Sequence, residues 1–244
     1  IVKQEFQVFY QPVVDARTGK IVSAEALVRW LHEQKGWISP GQFIPALEKG
    51  GYISQLDRYM IEKVTGCLNQ RRTEEKRFVP VSVNLSWMDF YDENMLEWIV
   101  RGLKKNNQNE QKIRFEITET SLAAIGENHT RMLTHLKENG AEILLDDFGS
   151  GYSSFGMLQD YDFDILKMDI SFVRNIGVNK KSESILRAII DMAHQLEIRL
   201  VAEGAETEEQ VAFLRENGCD YIQGYYYYKP MPEKEFLQLL DEGK

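Results

Sequence analysis

A chain of 244 residues, 43% hydrophobic and 27% charged, is long enough for one large α/β barrel or two small domains. No apolar run is long enough to span a bilayer, so no membrane contact by this chain is expected. The formal net charge of −9 argues against a binder of duplex nucleic acid and requires that any anionic ligand be met by local cations.

The two cysteines, Cys67 and Cys219, form neither a disulfide framework nor a zinc motif, which points to a reducing compartment. The chain opens at Ile1, almost inside its first strand. We therefore expect a single domain over residues 1–244, cytoplasmic, and cut from a longer parent whose other parts could tether it to a membrane.

In chain order, residues 6–14 and 21–28 read as strands. The link at 15–19 is too short for a crossover helix, so the two should run antiparallel. A Pro- and Gly-marked loop at 32–41 precedes amphipathic helix between 44 and about 72, where Leu56, Tyr59, Met60, Val64 and Leu68 recur near helical spacing. Strand and helix then alternate. Residues 79–84 read as strand and 95–105 as helix. Residues 113–117 read as strand, and 130–139 as helix closed by Gly140. The strand at 141–145, the short helix at 153–159 and the strand at 163–169 follow. A helix at 183–196, a strand at 198–202 and a helix from Thr207 to Gly218 come next. The last strand is 220–223 and the last helix 232–240.

Eight strands alternating with helices after an opening hairpin predict an α/β fold, a TIM-type (β/α)8 barrel with its first strand antiparallel to the rest. An open doubly wound sheet is the alternative. No glycine-rich dinucleotide motif or P-loop supports it.

Polar residues recur where these strands end: Glu25, Asn84, Glu116, Asp146 with Asp147, Lys167 with Asp169, Glu203, and Gln223. In a barrel those ends converge on one face, where active sites form. Each alone has a structural explanation, as a loop-capping amide or a solvated charge. Seven successive strands delivering a polar side chain to one rim make independent explanations improbable together. Asp146 and Asp147 would repel one another without a cation or proton between them, and Gly149 and Gly151 follow where the backbone must turn.

The donor set is all oxygen, which suits Mg²⁺ or Mn²⁺ rather than zinc. His32, His129, His135 and His194 lie elsewhere in the chain. Adjacent aspartates make two ions per site plausible, and two-metal sites cleave phosphodiesters by activating water and holding the leaving oxygen. Lys167 could orient that water or offset phosphate charge, and Arg29 could clamp a phosphate oxygen. The run Tyr225-Tyr226-Tyr227-Tyr228 reads as alternately buried and exposed aromatics rather than as a base-stacking platform.

These residues resemble the EAL-domain family of cyclic di-GMP phosphodiesterases. The resemblance rests on Glu25-Ala26-Leu27 with Arg29, Tyr10-Gln11-Pro12, Val83-Asn84-Leu85-Ser86 and Glu116-Ile117-Thr118-Glu119. It continues through Asp146-Asp147-Phe148-Gly149, Lys167-Met168-Asp169, Val201-Ala202-Glu203-Gly204 and Gln223-Gly224-Tyr225. Each motif is weak alone; eight in order are strong. Departures are mild: Ser150 replaces a usual Thr, Glu33 a usual Pro and Met168 a usual Ile.

The resemblance implies metal-dependent hydrolysis of cyclic di-GMP to linear 5′-pGpG. Glu25, Asn84, Glu116 and Asp146 would hold the first ion and Asp147 would help hold the second. Lys167 and Glu203 would position and activate water, and Glu119 would brace the loop after Asp147. Gln11, Leu27, Arg29, Asp169 and Gln223 would form the substrate side. Relatives that lack ligands act only as receptors, so a cyclic di-GMP receptor without turnover is the alternative function. In that family the segment after the paired aspartates lies near a dimer interface. Here it holds Phe155, Met157, Leu158, Tyr161 and Phe163, which implies a homodimer.

Overall fold

The computed structural model describes residues 5–106, 113–125, 128–151 and 154–243. Strands β1 (Phe6–Asp15) and β2 (Ile21–His32) form an antiparallel hairpin with Gln11 opposite Glu25. A short β3 (Gly36–Ile38) folds back on the outer end of β2. Then come β4 (Val81–Asn84), β5 (Ile113–Thr118), β6 (Glu142–Phe148), β7 (Ile165–Met168), β8 (Arg199–Glu203) and β9 (Tyr221–Gln223). Each of these is parallel to the next, and β2 joins the series through β4. β1 closes the barrel, antiparallel to both β2 and β9, and a two-residue β10 (Met231–Pro232) extends it. The closed eight-stranded barrel with a reversed first strand agrees with the predicted fold.

Strand alternation explains both faces of the barrel wall, because side chains at i and i+2 share a face. Outward residues such as Val83, Phe115, Ile117, Ile143, Leu145, Leu166 and Leu200 pack with the surrounding helices in one large core. Inward residues form layers. Arg114 and Arg199 meet Glu142 at the N-terminal end of the parallel strands. Val13, Leu144, Ile165 and Val201 form a buried apolar plug above them. Two residues past Leu144, Ile165 and Val201 stand Asp146, Lys167 and Glu203, while Glu116 on β5 pairs in register with Leu144 and follows Arg114 by two. On the reversed strand the order inverts, so Gln11 precedes Val13. The polar layer thus rests on a dry floor, where charge interactions are strong.

Several expectations need correction. β2 runs on to His32, so Glu25 sits mid-strand; its neighbour β4 ends early, which still leaves Glu25 at the barrel mouth. The loop at 32–41 contains β3, whose Trp37 packs edge-on against Phe9. The helical region after it is two helices, Pro40–Gly50 and Ile53–Thr73. They part at Gly51, whose φ of 71° suits glycine and ends the first helix. The short helices Glu119–Ile125 and Ile170–Arg174, directly after β5 and β7, were not predicted. Tyr152 and Ser153 lie outside the described residues, as does the side chain of His129.

Candidate active site

Lys167 lies at the centre of the polar layer and is 2% exposed. Its Nζ is 2.7 Å from Glu116 Oε2 on β5, 2.7 Å from Glu203 Oε1 on β8, 3.1 Å from Glu25 Oε2 on β2 and 3.3 Å from Asp146 Oδ1 on β6. Burial alone would lower its pKa. Asp146, Glu116, Glu203 and Glu25 outweigh that, and hold the ammonium well above the ordinary lysine range.

The carboxylates respond unequally. Burial, then Glu25, pushes Glu116 well above the ordinary carboxylate range. Burial raises Asp146 as well, and Glu203 up to about 8. Glu25 is buried too, yet Lys167 and Gln223 hold it below its ordinary value. Gln223 Nε2 donates to Glu25 Oε2 at 2.7 Å and to Gln11 Oε1 at 3.2 Å, while Asn84 Nδ2 donates to Glu25 Oε1 at 3.3 Å.

Asp147 leaves the strand with φ 56°, a left-handed conformation that costs a non-glycine residue energy and that aspartate tolerates better than most. Burial and then Asp146 raise its carboxyl. The following turn is held by Glu119, 2% exposed, whose Oε2 accepts the Gly149 N–H at 3.3 Å. A Cβ at Gly151 would lie 2.7 Å from Glu119 Oε1, so only glycine passes there without a shift.

Asp169 takes a different place from Lys167. β7 ends at Met168, and the Asp169 carboxylate caps the helix Ile170–Arg174 by accepting the Ser171 N–H at 2.9 Å. It remains a charged neighbour of Asp147. Arg29 donates to the Val28 carbonyl at 2.9 Å and lies over the Phe9 ring.

Two clefts open on either side of Asp146. One, of about 580 Å³, has Leu27, Arg29, Asn84, Asp146 and Asp147 among its lining, with apolar walls from Ile44, Leu56 and Trp87. The other, of about 320 Å³, is lined by Gln11, Glu25, Leu27, Lys167, Glu203 and Gln223, among others. Both fall in the size range of small-molecule sites. Arg174, Glu206 and Tyr225 also line the second cleft. All three lie beyond the strands, so reading strand ends misses them; the signal available was their closeness in sequence to Asp169, Glu203 and Gln223.

The tyrosine run does not alternate in burial as predicted. Tyr225 and Tyr226 are exposed while Tyr227 and Tyr228 are half-buried. The segment is a turn, with Tyr227 and Tyr228 N–H groups both donating to the Gly224 carbonyl, so a strand's two-residue period does not apply.

The donor set fits a hard divalent cation. Carboxylate oxygens of Asp146, Asp147 and Glu203 lie within 4.8 Å of one another, and among the described residues no His or Cys joins such a group. Four carboxylates surround one ammonium, with Asp147 alongside; burial first, and then repulsion among the carboxylates, raises Glu116, Asp146, Asp147 and Glu203 above the ordinary carboxylate value. Gln223 Oε1 is buried beside this cluster with no hydrogen-bond partner among the described residues.

Comparison with known proteins identifies the family. The family model described as the EAL domain matches residues 1–230. A probable cyclic di-GMP phosphodiesterase of Escherichia coli, PdeG, is 34% identical over 232 residues, 95% of this chain and 46% of that protein. The cyclic di-GMP phosphodiesterase NbdA of Pseudomonas aeruginosa is 33% identical over 237 residues, 96% of this chain and 30% of that protein. This chain therefore spans less than half the length of either relative. Among solved structures, the PaMucR phosphodiesterase in complex with cyclic di-GMP superposes with a TM-score of 0.88 at 31% identity. That match covers 96% of this chain and 95% of the other.

Proposed function

The chain belongs to the EAL domain family, and from that premise we propose that it hydrolyses cyclic di-GMP to linear 5′-pGpG with Mg²⁺ or Mn²⁺, two ions per site. The observation that carries this reading is the buried Lys167 ammonium ringed by Glu25, Glu116, Asp146 and Glu203 at the barrel mouth. Two clefts that share Asp146 and Leu27 suit a ligand with two bases joined through phosphates.

Glu25, Asn84, Glu116 and Asp146 would hold the first ion. Asp147 would help hold the second, and the closeness of Glu203 to Asp146 and Asp147 supports adding it there. When bound, the cations supply the charge that draws in the phosphate and makes water more acidic. Lys167 is held protonated, so its role is to donate: it orients the attacking water and offsets charge growing on the phosphate. The water oxygen forms the new bond to phosphorus and a carboxylate of the cluster takes the water proton, while the bond from phosphorus to the 3′ oxygen breaks and that oxygen takes a proton from solvent to leave as the 3′ hydroxyl. Arg29, Gln11, Leu27, Gln223 and Asp169 would hold the nucleotide, and Glu119 would brace the turn that carries Asp147. Phe155, 68% exposed on the helix Ser154–Asp160 just past that turn, supports a homodimer through this face.

A substrate panel tests the assignment. Cyclic di-GMP should be cleaved at least a hundredfold faster, by kcat/KM, than cyclic mononucleotides or a simple aryl phosphodiester. Equal rates on all of them would overturn the substrate, and binding of cyclic di-GMP without cleavage would make the protein a receptor.

A further inference from the structure

A second acidic pair lies outside the carboxylate ring, under the end of β4. Asp57, on the helix Ile53–Thr73, is 8% exposed, and Asp89, in the 3-10 turn Trp87–Tyr91, is 0% exposed. Both accept the same backbone N–H, that of Ser86, at 3.2 Å and 3.1 Å, and the Ser86 hydroxyl donates to Asp89 at 3.3 Å. The Ser54 side chain, one turn before Asp57 on the same helix, also hydrogen-bonds the Asp89 carboxyl. The Asp57 carboxyl lies beside Asp89, within hydrogen-bonding reach.

Two buried carboxylates in contact repel if both are ionised. One proton between them removes the repulsion and adds a donor to those that Ser86 and Ser54 already give Asp89. Burial, and then the charge of Asp89, holds Asp57 well above the ordinary carboxylate range, in keeping with this.

The location connects the pair to the site. Ser86 lies two residues past Asn84, and the Leu85 N–H between them donates to the Glu116 carbonyl at 2.9 Å. The chain leaving β4 is therefore pinned on one side by β5 and on the other by the acid pair. Asn84 stands at the head of that pinned segment with its amide on Glu25 at 3.3 Å. Asp57 also lines the larger cleft together with Asn84, Asp146 and Asp147.

We propose that Asp57 and Asp89, sharing one proton, are positioning residues that hold the turn at residues 84–86 against the barrel rim and so fix Asn84 beside Glu25. The consequence for catalysis rests on the reading of Asn84 as a metal ligand; the clamp itself does not.

The test uses Asp57→Asn and Asp57→Ala with three readings. Hydrogen exchange across residues 85–91 in metal-free protein reports the clamp without reference to any activity. Calorimetric Mn²⁺ affinity reports the ligand, and kcat against KM for cyclic di-GMP reports the reaction. Asp57→Asn keeps an acceptor for Ser86 and supplies a permanent donor to Asp89. It should match the unsubstituted protein within about threefold in all three. Asp57→Ala should speed exchange and weaken Mn²⁺ binding by about tenfold or more, lowering kcat with little change in KM. Unchanged exchange in Asp57→Ala overturns the clamp, and so does an Asp57→Asn variant as impaired as Asp57→Ala. Fast exchange in Asp57→Ala with unchanged Mn²⁺ affinity keeps the clamp and overturns the ligand role of Asn84. If Asp57→Ala does not fold, Asp89→Asn is the second arm: it also supplies a fixed donor to the pair and must keep native exchange and Mn²⁺ affinity. A tenfold change in either overturns the proposal.

Discussion

Lys167 Nζ lies 2.7 Å from Glu203 Oε1, and the two sit on adjacent parallel strands with Glu203 two residues beyond the level at which Lys167 pairs with Val201. The lysine therefore reaches along the barrel axis toward the mouth, where its ammonium meets four carboxylates. The same carboxylates are the proposed cation ligands. Ammonium and metal thus compete for one set of oxygens, and the relationship between Lys167 and the ring must change when cations bind.

From this follows the behaviour of Lys167→Ala. We expect kcat to fall by a hundredfold or more, with cyclic di-GMP affinity within about threefold, because the lost interaction acts mainly in the transition state. Mn²⁺ affinity should be retained or rise, since a competing positive charge is gone. Calorimetry beside single-turnover kinetics checks both. A loss of nucleotide affinity in proportion to the loss of rate would make Lys167 a ground-state clamp.

Glu25→Ala and Asn84→Ala should each lower turnover by about two orders of magnitude or more while the barrel folds, because these side chains stand on the apolar plug rather than forming it. Circular dichroism and melting curves check the fold, and steady-state assays the rate. A well-folded variant with near-native turnover would remove that residue from the ligand set.

The acid pair predicts a pH dependence of stability. The folded-state pKa of Asp57 is raised above the unfolded value of about 3.9, so its contribution to stability is full below that value and is lost as pH rises toward the folded one. Asparagine at that position has no proton to lose. In metal-free protein the Tm of Asp57→Asn relative to the unsubstituted chain should therefore increase from pH 4 to pH 8. The limiting slope is about 1.4 kcal/mol per pH unit. A difference that stays constant with pH would contradict a protonated Asp57.

The homodimer proposal places Phe155 at the contact. Its ring packs edge-on against Phe148, 5.8 Å away, and is largely exposed. Phe155→Glu should shift sedimentation from dimer to monomer at micromolar concentration. An unsubstituted protein that sediments as a monomer at high concentration would remove the interface.

Much of this was legible in the chain because a parallel strand buried on both faces stands out. Runs such as Ile143-Leu144-Leu145 followed by a carboxylate mark both a strand and its exit at the barrel mouth. The reversed first strand was readable from the length of a turn. β3 was not, because Gly36-Trp37-Ile38 is too short to show alternation and is flanked by loop residues. Nor was the Asp57–Asp89 pair. In sequence, Asp57 lies next to Arg58 on a helix and looks like part of a solvated face; only the packing of the 3-10 turn over it encloses it. The end of β7 was legible only to within a residue: the strand stops at Met168, and Asp169, read as its last residue, caps the helix that follows.

The most direct measurement is chromatographic identification of products after incubating the purified chain with cyclic di-GMP, once with excess chelator and once with Mg²⁺ or Mn²⁺ restored. The account predicts intact cyclic dinucleotide with chelator and linear 5′-pGpG with metal. Intact nucleotide in the metal-restored sample, or full conversion in the chelated one, would contradict it.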